Sequence, residues 1–278
     1  MQTKPQTNDR EFSFSDAEFR FLANLANQKT GIMLPESKRD MVYSRLVRRL
    51  RALKLDTFSD YCELLNSDSG KIEMPHLVNA ITTNLTHFFR ESHHFEHLEN
   101  ELLQQLISNN CSKIRIWSAG CSAGMEPYSI AMCLASKLEA RKNIDARILA
   151  TDIDTNMLDK GALGEYNLDE YENIPAKYRN MVIKNNNNMV MSERLKGLIA
   201  FKHLNLLDTW PMQGKFDAIF CRNVVIYFDK ATQKKLFTNM TKYLSPNGFL
   251  YIGHSENISN VCDGFELIGR TIYRLKGA

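Results

Sequence analysis

The sequence predicts a doubly wound, mostly parallel α/β domain with a terminal antiparallel hairpin and a small inserted β-subdomain, preceded by a small all-helical domain. Three observations carry this. Apolar residues recur at helical spacing through the first 85 or so residues, and strand and helix patterns alternate from Ile114 onward. More than forty residues then separate Asp154 from the strand that starts at Ile199, more than an α/β connection needs, so something is inserted. A chain of 278 residues also lies where single hydrophobic cores divide.

The elements follow in order. Residues 1–14 are polar and aperiodic and read as a flexible tail. Ser15-Asp16-Ala17-Glu18 has the form of a capping box, with Phe19, Leu22, Leu25 and Ala26 behind it and Gly31 as the stop. A second helix is expected from Glu36 to Lys54 with Val42, Leu46, Leu50 and Leu53 on one stripe. Shorter helices are expected over residues 57–66, and from Pro75 as a first helical position through Val78, Ile81 and Leu85. These make a helical domain over residues 15–86, and residues 87–278 make the second domain.

In that second domain a helix from Glu91 carries Phe95, Leu98, Leu102 and Leu106. A strand at Ile114–Ser118, a glycine turn at residues 119–124 and a helix with Ile130, Ala131, Leu134 and Leu138 come next. Strands are expected at residues 146–151, 199–204, 218–221 and 248–253, with a helix from about Asp154. The closing hairpin pairs residues 265–268 with 271–275, and the inserted β-subdomain spans about 178–201 around the run Asn185 to Asn188.

Composition narrows the function classes. Hydrophobic residues make up 44% and charged residues 24%, a globular balance, and 35 Lys+Arg against 32 Asp+Glu leave a net charge of +3, too small to require a polyanionic partner. The chain lacks a long apolar run and an apolar N-terminal segment, so neither a membrane span nor a signal peptide is expected and the chain is expected to be cytoplasmic. Its 6 cysteines form no C-x-x-C pair and are expected to be reduced thiols. His93-His94-Phe95-Glu96-His97 lacks the glutamate placement of a zinc helix, so those histidines read as a solvated face and no metal is expected.

Three clusters carry chemistry. The turn Gly120-Cys121-Ser122-Ala123-Gly124 brings backbone N–H groups to where a ligand can approach. Asp152 closes the next strand, where a carboxylate accepts from both ribose hydroxyls, but it lies further from Gly120 than the ~20 residues of dinucleotide fingerprints. A nucleoside without a pyrophosphate stays open. The stretches Thr82 to Glu91 and Phe216 to Phe228 concentrate polar side chains at a domain junction and at a strand's carboxyl edge.

The motifs Thr-Asn-Leu-Thr-His-Phe-Phe-Arg-Glu (83–91), Gly-Cys-Ser-Ala-Gly-Met-Glu-Pro-Tyr-Ser (120–129), Ala-Thr-Asp-Ile-Asp (150–154), Cys-Arg-Asn-Val-Val-Ile-Tyr-Phe-Asp (221–229) and Gly-His-Ser-Glu (253–256) occur in one order. Together they closely resemble the chemotaxis receptor methyltransferases of the CheR family, over nearly the whole chain from Phe14. The resemblance implies a methyltransferase sheet that binds S-adenosylmethionine and releases S-adenosylhomocysteine. It also implies methyl transfer to glutamate side chains on the cytoplasmic helices of chemoreceptors, giving glutamyl methyl esters. By the same resemblance Asn84, Thr86, Arg90, Glu126, Asp152, Asn205, Leu206, Arg222 and Asn223 line the cofactor pocket, and Arg90 and Tyr227 stand at the transfer. His254 is expected to shape the pocket floor or to be a structural histidine.

Seven basic residues against two acidic ones give the helix at 36–54 a local charge of +5, with Lys38, Arg45, Arg48 and Arg49 beside the apolar stripe as a docking face. The family grips acidic receptor helices with this domain. Nucleic acid is not expected as a partner, and the chain is expected to be a monomer. Some family members hold a receptor's C-terminal pentapeptide through a glycine-containing loop of the β-subdomain; here that turn reads Lys184-Asn185-Asn186-Asn187-Asn188. A methyltransferase of RNA or a small molecule and a non-catalytic S-adenosylmethionine sensor are the rival readings.

Overall fold

The computed structural model describes residues 10–141 and 143–277, and the chain forms two compact units divided between Thr82 and Thr83. In the first unit, α1 (Asp16–Thr30) starts at Ser15, which caps the Glu18 N–H while the Glu18 carboxylate takes the Ser15 N–H, and it stops at Gly31 in the left-handed conformation. Pro35 holds the chain extended, so the expected second helix opens as a 3-10 turn (Glu36–Lys38) before α2 (Arg39–Leu53). Thr57 and Asp60 cap each other at the head of α3 (Phe58–Asn66). The helix α4 (Gly70–Ile81) begins a turn earlier than Pro75 suggests, because 3-10 bonds from Gly70, Lys71 and Ile72 close its first turn and the proline costs only one backbone bond. It ends at Ile81, short of Leu85.

Leu22, Leu46, Leu50, Phe58, Tyr61 and Leu77 make the core of this unit, and full burial contributes about 1.5–3 kcal/mol for each large apolar side chain. Residues 1–9 of the expected tail lie outside the described residues. The remainder is anchored: Phe14 is buried with its ring centroid 4.2 Å from that of Phe58, and the Phe12 N–H donates to the Tyr43 hydroxyl. A lone aromatic without periodicity leaves no trace of such packing in the sequence.

The second unit begins with α5 (His93–His97), a π-helical turn at Leu98–Leu102 and α6 (Leu103–Ser108). The extra residue in that turn rotates the apolar stripe, so Leu103 and Ile107 are buried and Leu106 is only partly so. The chain continues through β1 (Lys113–Ala119), α7 (Met125–Lys137), β2 (Asp145–Asp152), α8 (Thr155–Leu163), β3 (Glu165–Asn167), β4 (Val182–Lys184), β5 (Asn188–Met191), α9 (Glu193–Lys196) and β6 (Ile199–His203). It closes with β7 (Phe216–Cys221), α10 (Lys230–Tyr243), β8 (Leu244–Ile252), β9 (Phe265–Gly269) and β10 (Ile272–Leu275). The helix α10, capped by Asp229, has no counterpart in the sequence reading; Gln233, Leu236, Phe237 and Met240 are its buried positions.

The large sheet has the order β6-β2-β1-β7-β8-β10-β9. Its first five strands are parallel, and β10 runs antiparallel to both neighbours. The chain winds from β1 outward to β6, then returns to lay β7 against the other side of β1, which puts the topological switch between those two strands. The inserted sheet has the order β3-β5-β4, so it reaches back to Glu165, before the expected start at 178. Its expected end at 201 falls inside β6, a strand of the large sheet. Three residues are too few for β3 to show alternation; Tyr166 betrays it only in space, buried against Phe88 with ring centroids 5.0 Å apart.

Candidate functional site

The glycine turn after β1 is compact because side chains are excluded at its two ends. Gly120 and Gly124 have φ of +83° and +89°, and a Cβ on Gly120 would stand 2.3 Å from a Val224 methyl carbon. The Gly120 and Cys121 N–H groups both donate to the Thr151 carbonyl (2.8 and 2.9 Å), which docks the turn onto the end of β2. The next N–H, of Ser122, donates to Asp152 Oδ2 at 2.7 Å, and the Asp154 N–H donates to Asp152 Oδ1 at 2.9 Å. Asp152 is buried, and burial pushes its carboxyl up from its ordinary value while those two N–H bonds oppose the rise. A carboxylate has about four acceptor positions. What remains of that capacity suits a sugar hydroxyl.

The segment from Thr83 folds over this turn. Asn84 donates through Nδ2 to Asp154 Oδ2 (2.8 Å), the Ser122 hydroxyl donates to the Asn84 carbonyl (3.2 Å), and Asp154 also caps α8 by accepting from the Asn156 and Met157 N–H groups. Thr86 is half-buried on the same segment. Asn205 and Leu206 follow β6, tied to β2 by the Leu204 N–H on the Asp152 carbonyl (3.0 Å), and Asn205 accepts the Leu207 N–H.

Between β1 and β7 sits a buried charge cluster. Arg222, whose side chain is 2% exposed, donates to Glu126 Oε2 at 2.9 Å, lies 3.4 Å from Glu91 Oε2, and also donates to the Arg90 carbonyl. Glu126 takes the Ser118 hydroxyl on its other oxygen (2.7 Å); burial raises its pKa and Arg222 opposes that. Burial also works against the ionised Glu91, but the Arg222 charge and two hydrogen bonds from His254 outweigh it and hold that carboxyl at about 2. Burial, with the Arg222 charge, pushes His94 down to about 3, so it is neutral at physiological pH.

Arg90 lies between two non-glycine residues in the left-handed region, Phe89 (φ 52°) and Glu91 (φ 60°). Packing holds them there: the Phe89 ring stacks on Tyr178 at 5.1 Å and its N–H donates to the Ser129 hydroxyl. The Arg90 guanidinium donates to the Leu85 carbonyl (2.9 Å) and is partly solvated. Past β7, Asn223 is also left-handed (φ 59°), and the buried Glu256 staples the loop by accepting from the N–H groups of Asn223, Val225 and Gly253. Half-buried Tyr227 closes the 3-10 turn Val225–Tyr227, which Gln233 fastens to α10 through the Val225 and Phe228 carbonyls.

Direct contacts thus join Asn84, Asp152, Glu126, Arg222 and the backbone of Arg90 and Asn223 into networks at the carboxyl edges of β1, β2 and β7. Four residues outside the expected site organise it: Glu91, Asp154, Ser118 and Glu256. Glu91, Asp154 and Glu256 close three of the sequence motifs, the signal that could have marked them. His254 is 64% exposed along its side chain and serves to hold Glu91. The solvated histidine face is not found: His94 is buried with Nε2 near the Thr271 hydroxyl, and His97 Nδ1 meets the Tyr251 hydroxyl, because the strand β10 end and β8 pack on α5.

The four basic residues expected on α2 and its approach divide within the first unit. Lys38 and Arg48 are exposed. Arg49 forms a two-pronged bridge to the buried Glu73 (2.8 and 2.7 Å), which also accepts from the Tyr61 hydroxyl (3.0 Å), and Arg45 donates to the Ala80 and Thr82 carbonyls at the end of α4. Those two hold α2 to α4.

Comparison with known proteins finds two family models in sequence: "CheR methyltransferase, all-alpha domain" matches residues 17–82, and "CheR methyltransferase, SAM binding domain" matches residues 84–274. A chemotaxis protein methyltransferase of Salmonella typhimurium strain LT2 is 42% identical over 272 residues, covering 96% of this chain and 92% of the relative. Its counterpart in Escherichia coli strain K12 is 42% identical, covering 95% and 92%. Chemotaxis protein methyltransferase 2 of Pseudomonas aeruginosa is 41% identical, covering 97% and 96%.

Proposed function

The chain belongs to the CheR methyltransferase family and takes S-adenosylmethionine as cofactor, and from that premise we propose that it esterifies glutamate side chains on the cytoplasmic helices of chemoreceptors. The observation that carries this reading is the presence of two buried carboxylates on either side of the glycine turn, Asp152 at the end of β2 and Glu126 at the start of α7. Their chemistry fits the cofactor: Asp152 for the ribose hydroxyls, Glu126 for the cationic amino end, and the glycine turn for close approach of the backbone. Asn84, Thr86, Asn205, Leu206, Arg222 and Asn223 complete the pocket in this reading.

When bound, the cofactor supplies a methyl group activated on a positively charged sulfur. A receptor glutamate with an ordinary pKa near ~4.3 is already a carboxylate at neutral pH, so the protein needs no general base. Arg90 would hold the incoming carboxylate through charge-assisted hydrogen bonds, and the Tyr227 phenol would donate one more. Alignment and exclusion of water then supply the acceleration. Incubation with methyl-labelled cofactor and receptor cytoplasmic fragments should give label that mild alkali releases. Alkali-stable label, or label on RNA or a small molecule, would overturn the reading.

Two further results are expected. Asp152→Ala should weaken S-adenosylmethionine binding by about 1.5–3 kcal/mol, the range for hydrogen bonds to a charged group, and unchanged calorimetric affinity would remove Asp152 from the pocket. For substrate capture, Lys38 and Arg48 are the exposed members of the basic set. Reversing both to glutamate should slow methylation of receptor fragments at low salt, with the difference shrinking as ionic strength rises and the Debye length falls below about 10 Å. Equal rates at every salt concentration would make these residues a solvated face. We also assign the protein to the cytoplasm, in keeping with the described residues, which include no helix long and apolar enough to cross a membrane.

A further inference from the structure

Two large apolar side chains stand in water on the segments that carry Arg90 and Tyr227. Leu85 is 78% exposed and Ile226 is 49% exposed, yet the backbone of each is fixed. The Leu85 carbonyl accepts from the Arg90 guanidinium at 2.9 Å, and Asn84 before it is bonded to Asp154 and Ser122. Ile226 is the middle residue of the 3-10 turn that ends at Tyr227, and Glu256 accepts from its N–H as it does from that of Val225. The two segments meet at Arg90, whose carbonyl accepts from Arg222 at the root of the Ile226 loop. Single exposed apolar side chains are ordinary on a protein surface. This pair differs in being held out on stapled backbone, one on each segment that carries a transfer residue. Such a backbone presents its side chains to a partner without further ordering on binding.

We propose that Leu85 and Ile226 are specificity-determining residues for the protein substrate: they receive apolar side chains that lie one helical turn from the target glutamate. The proposal rests on the reading that the substrate is a receptor helix. On a helix the side chains three and four residues from a glutamate share its face, about 5–6 Å away. A carboxylate held by Arg90 therefore brings those neighbours to the rim on which Leu85 and Ile226 stand. Covering two exposed apolar side chains with apolar partners removes that surface from water and stabilises the complex. A glutamate with only polar neighbours at that spacing gains nothing from the pair and is the poorer substrate. Selection among the glutamates of one helix then follows from the residues beside each.

The test is steady-state methylation of receptor cytoplasmic fragments by the full chain, with cofactor binding followed by calorimetry. Leu85→Ser and Ile226→Ser should each raise KM for the fragment roughly tenfold, the scale of one apolar side chain left in water. Both kcat and S-adenosylmethionine affinity should stay within about twofold of the parent, as for a contact that acts on substrate binding alone. Leu85→Met and Ile226→Val should recover most of the loss. In a second fragment the apolar residues three and four positions from the methylated glutamate are replaced by glutamine, which keeps helix propensity. That fragment should raise the parent's KM and make both serine variants nearly silent, because the contact is already gone. Unchanged KM, an equal loss on both fragments, or a fall in cofactor affinity matching the fall in methylation overturns the proposal and leaves the functional reading standing. A serine variant that unfolds would show a packing residue and overturn it too. A parent that esterifies neither fragment removes the reading itself, and the proposal with it.

Discussion

Arg222→Met is expected to destabilise the protein by about 3–5 kcal/mol at pH 7, the cost of removing one partner from a buried ion pair. Arg222 is almost fully buried between Glu91 and Glu126, so its loss leaves two carboxylates without a counter-charge in an apolar setting that includes the Phe95 ring. The pH dependence gives the cause away. In the parent, Glu91 titrates at about 2 against an ordinary 4.5, so its contribution is complete above about pH 4.5 and is lost as pH falls toward 2. In the variant, Arg222 no longer opposes burial, so the Glu126 carboxyl, already raised in the parent, moves further up, and Glu91 loses the largest of the interactions that hold it down. The penalty is then present at neutral pH and is relieved as acid protonates them. Denaturant titrations between pH 8 and pH 4.5 should therefore show the gap between variant and parent narrowing. A gap that stays constant would mean that Arg222 stabilises by packing alone.

Arg90→Ala is expected to lower the single-turnover rate of receptor methylation by about 10²–10³-fold, the range seen when a preorganised donor is removed from a reacting centre. Tyr227→Phe should cost less, on the order of tenfold, since it removes one neutral hydrogen bond. Both effects belong in the rate at saturating cofactor and receptor, not in stability. Arg90 is partly solvated and among the described residues its side chain bonds the Leu85 carbonyl, while Arg222 reads its backbone, which alanine retains. Rates of both variants equal to the parent would remove these residues from the reaction. A fall in melting temperature alongside the fall in rate would instead point to the left-handed turn around Arg90.

Local rules made much of the architecture legible. Capping at Ser15 and Thr57, the glycine stop at Gly31, and the alternation that marks β1, β2, β7 and β8 act over a few residues, and a sequence displays such interactions directly. The elements that escaped are those with weak local signals. The three-residue strand β3 is held by Tyr166, the mainly polar α10 is held by its four buried positions, and the π-helical turn exists because Leu103 gains a place in the core.

Charge is where sequence and tertiary structure part most clearly. By itself the sequence determined that acids and bases stand in ordered motifs, that Asp152 closes a strand behind a glycine turn, and that basic residues crowd one helix. Their partners were decided only by folding: Glu73 claimed Arg49, carbonyls at the end of α4 claimed Arg45, and Glu91, Glu126 and His254, distant in the chain, converged on or beside Arg222. The reason is electrostatic. A charge's effect depends on its distance to other charges and on the dielectric around it, and a linear pattern specifies neither until the chain has packed.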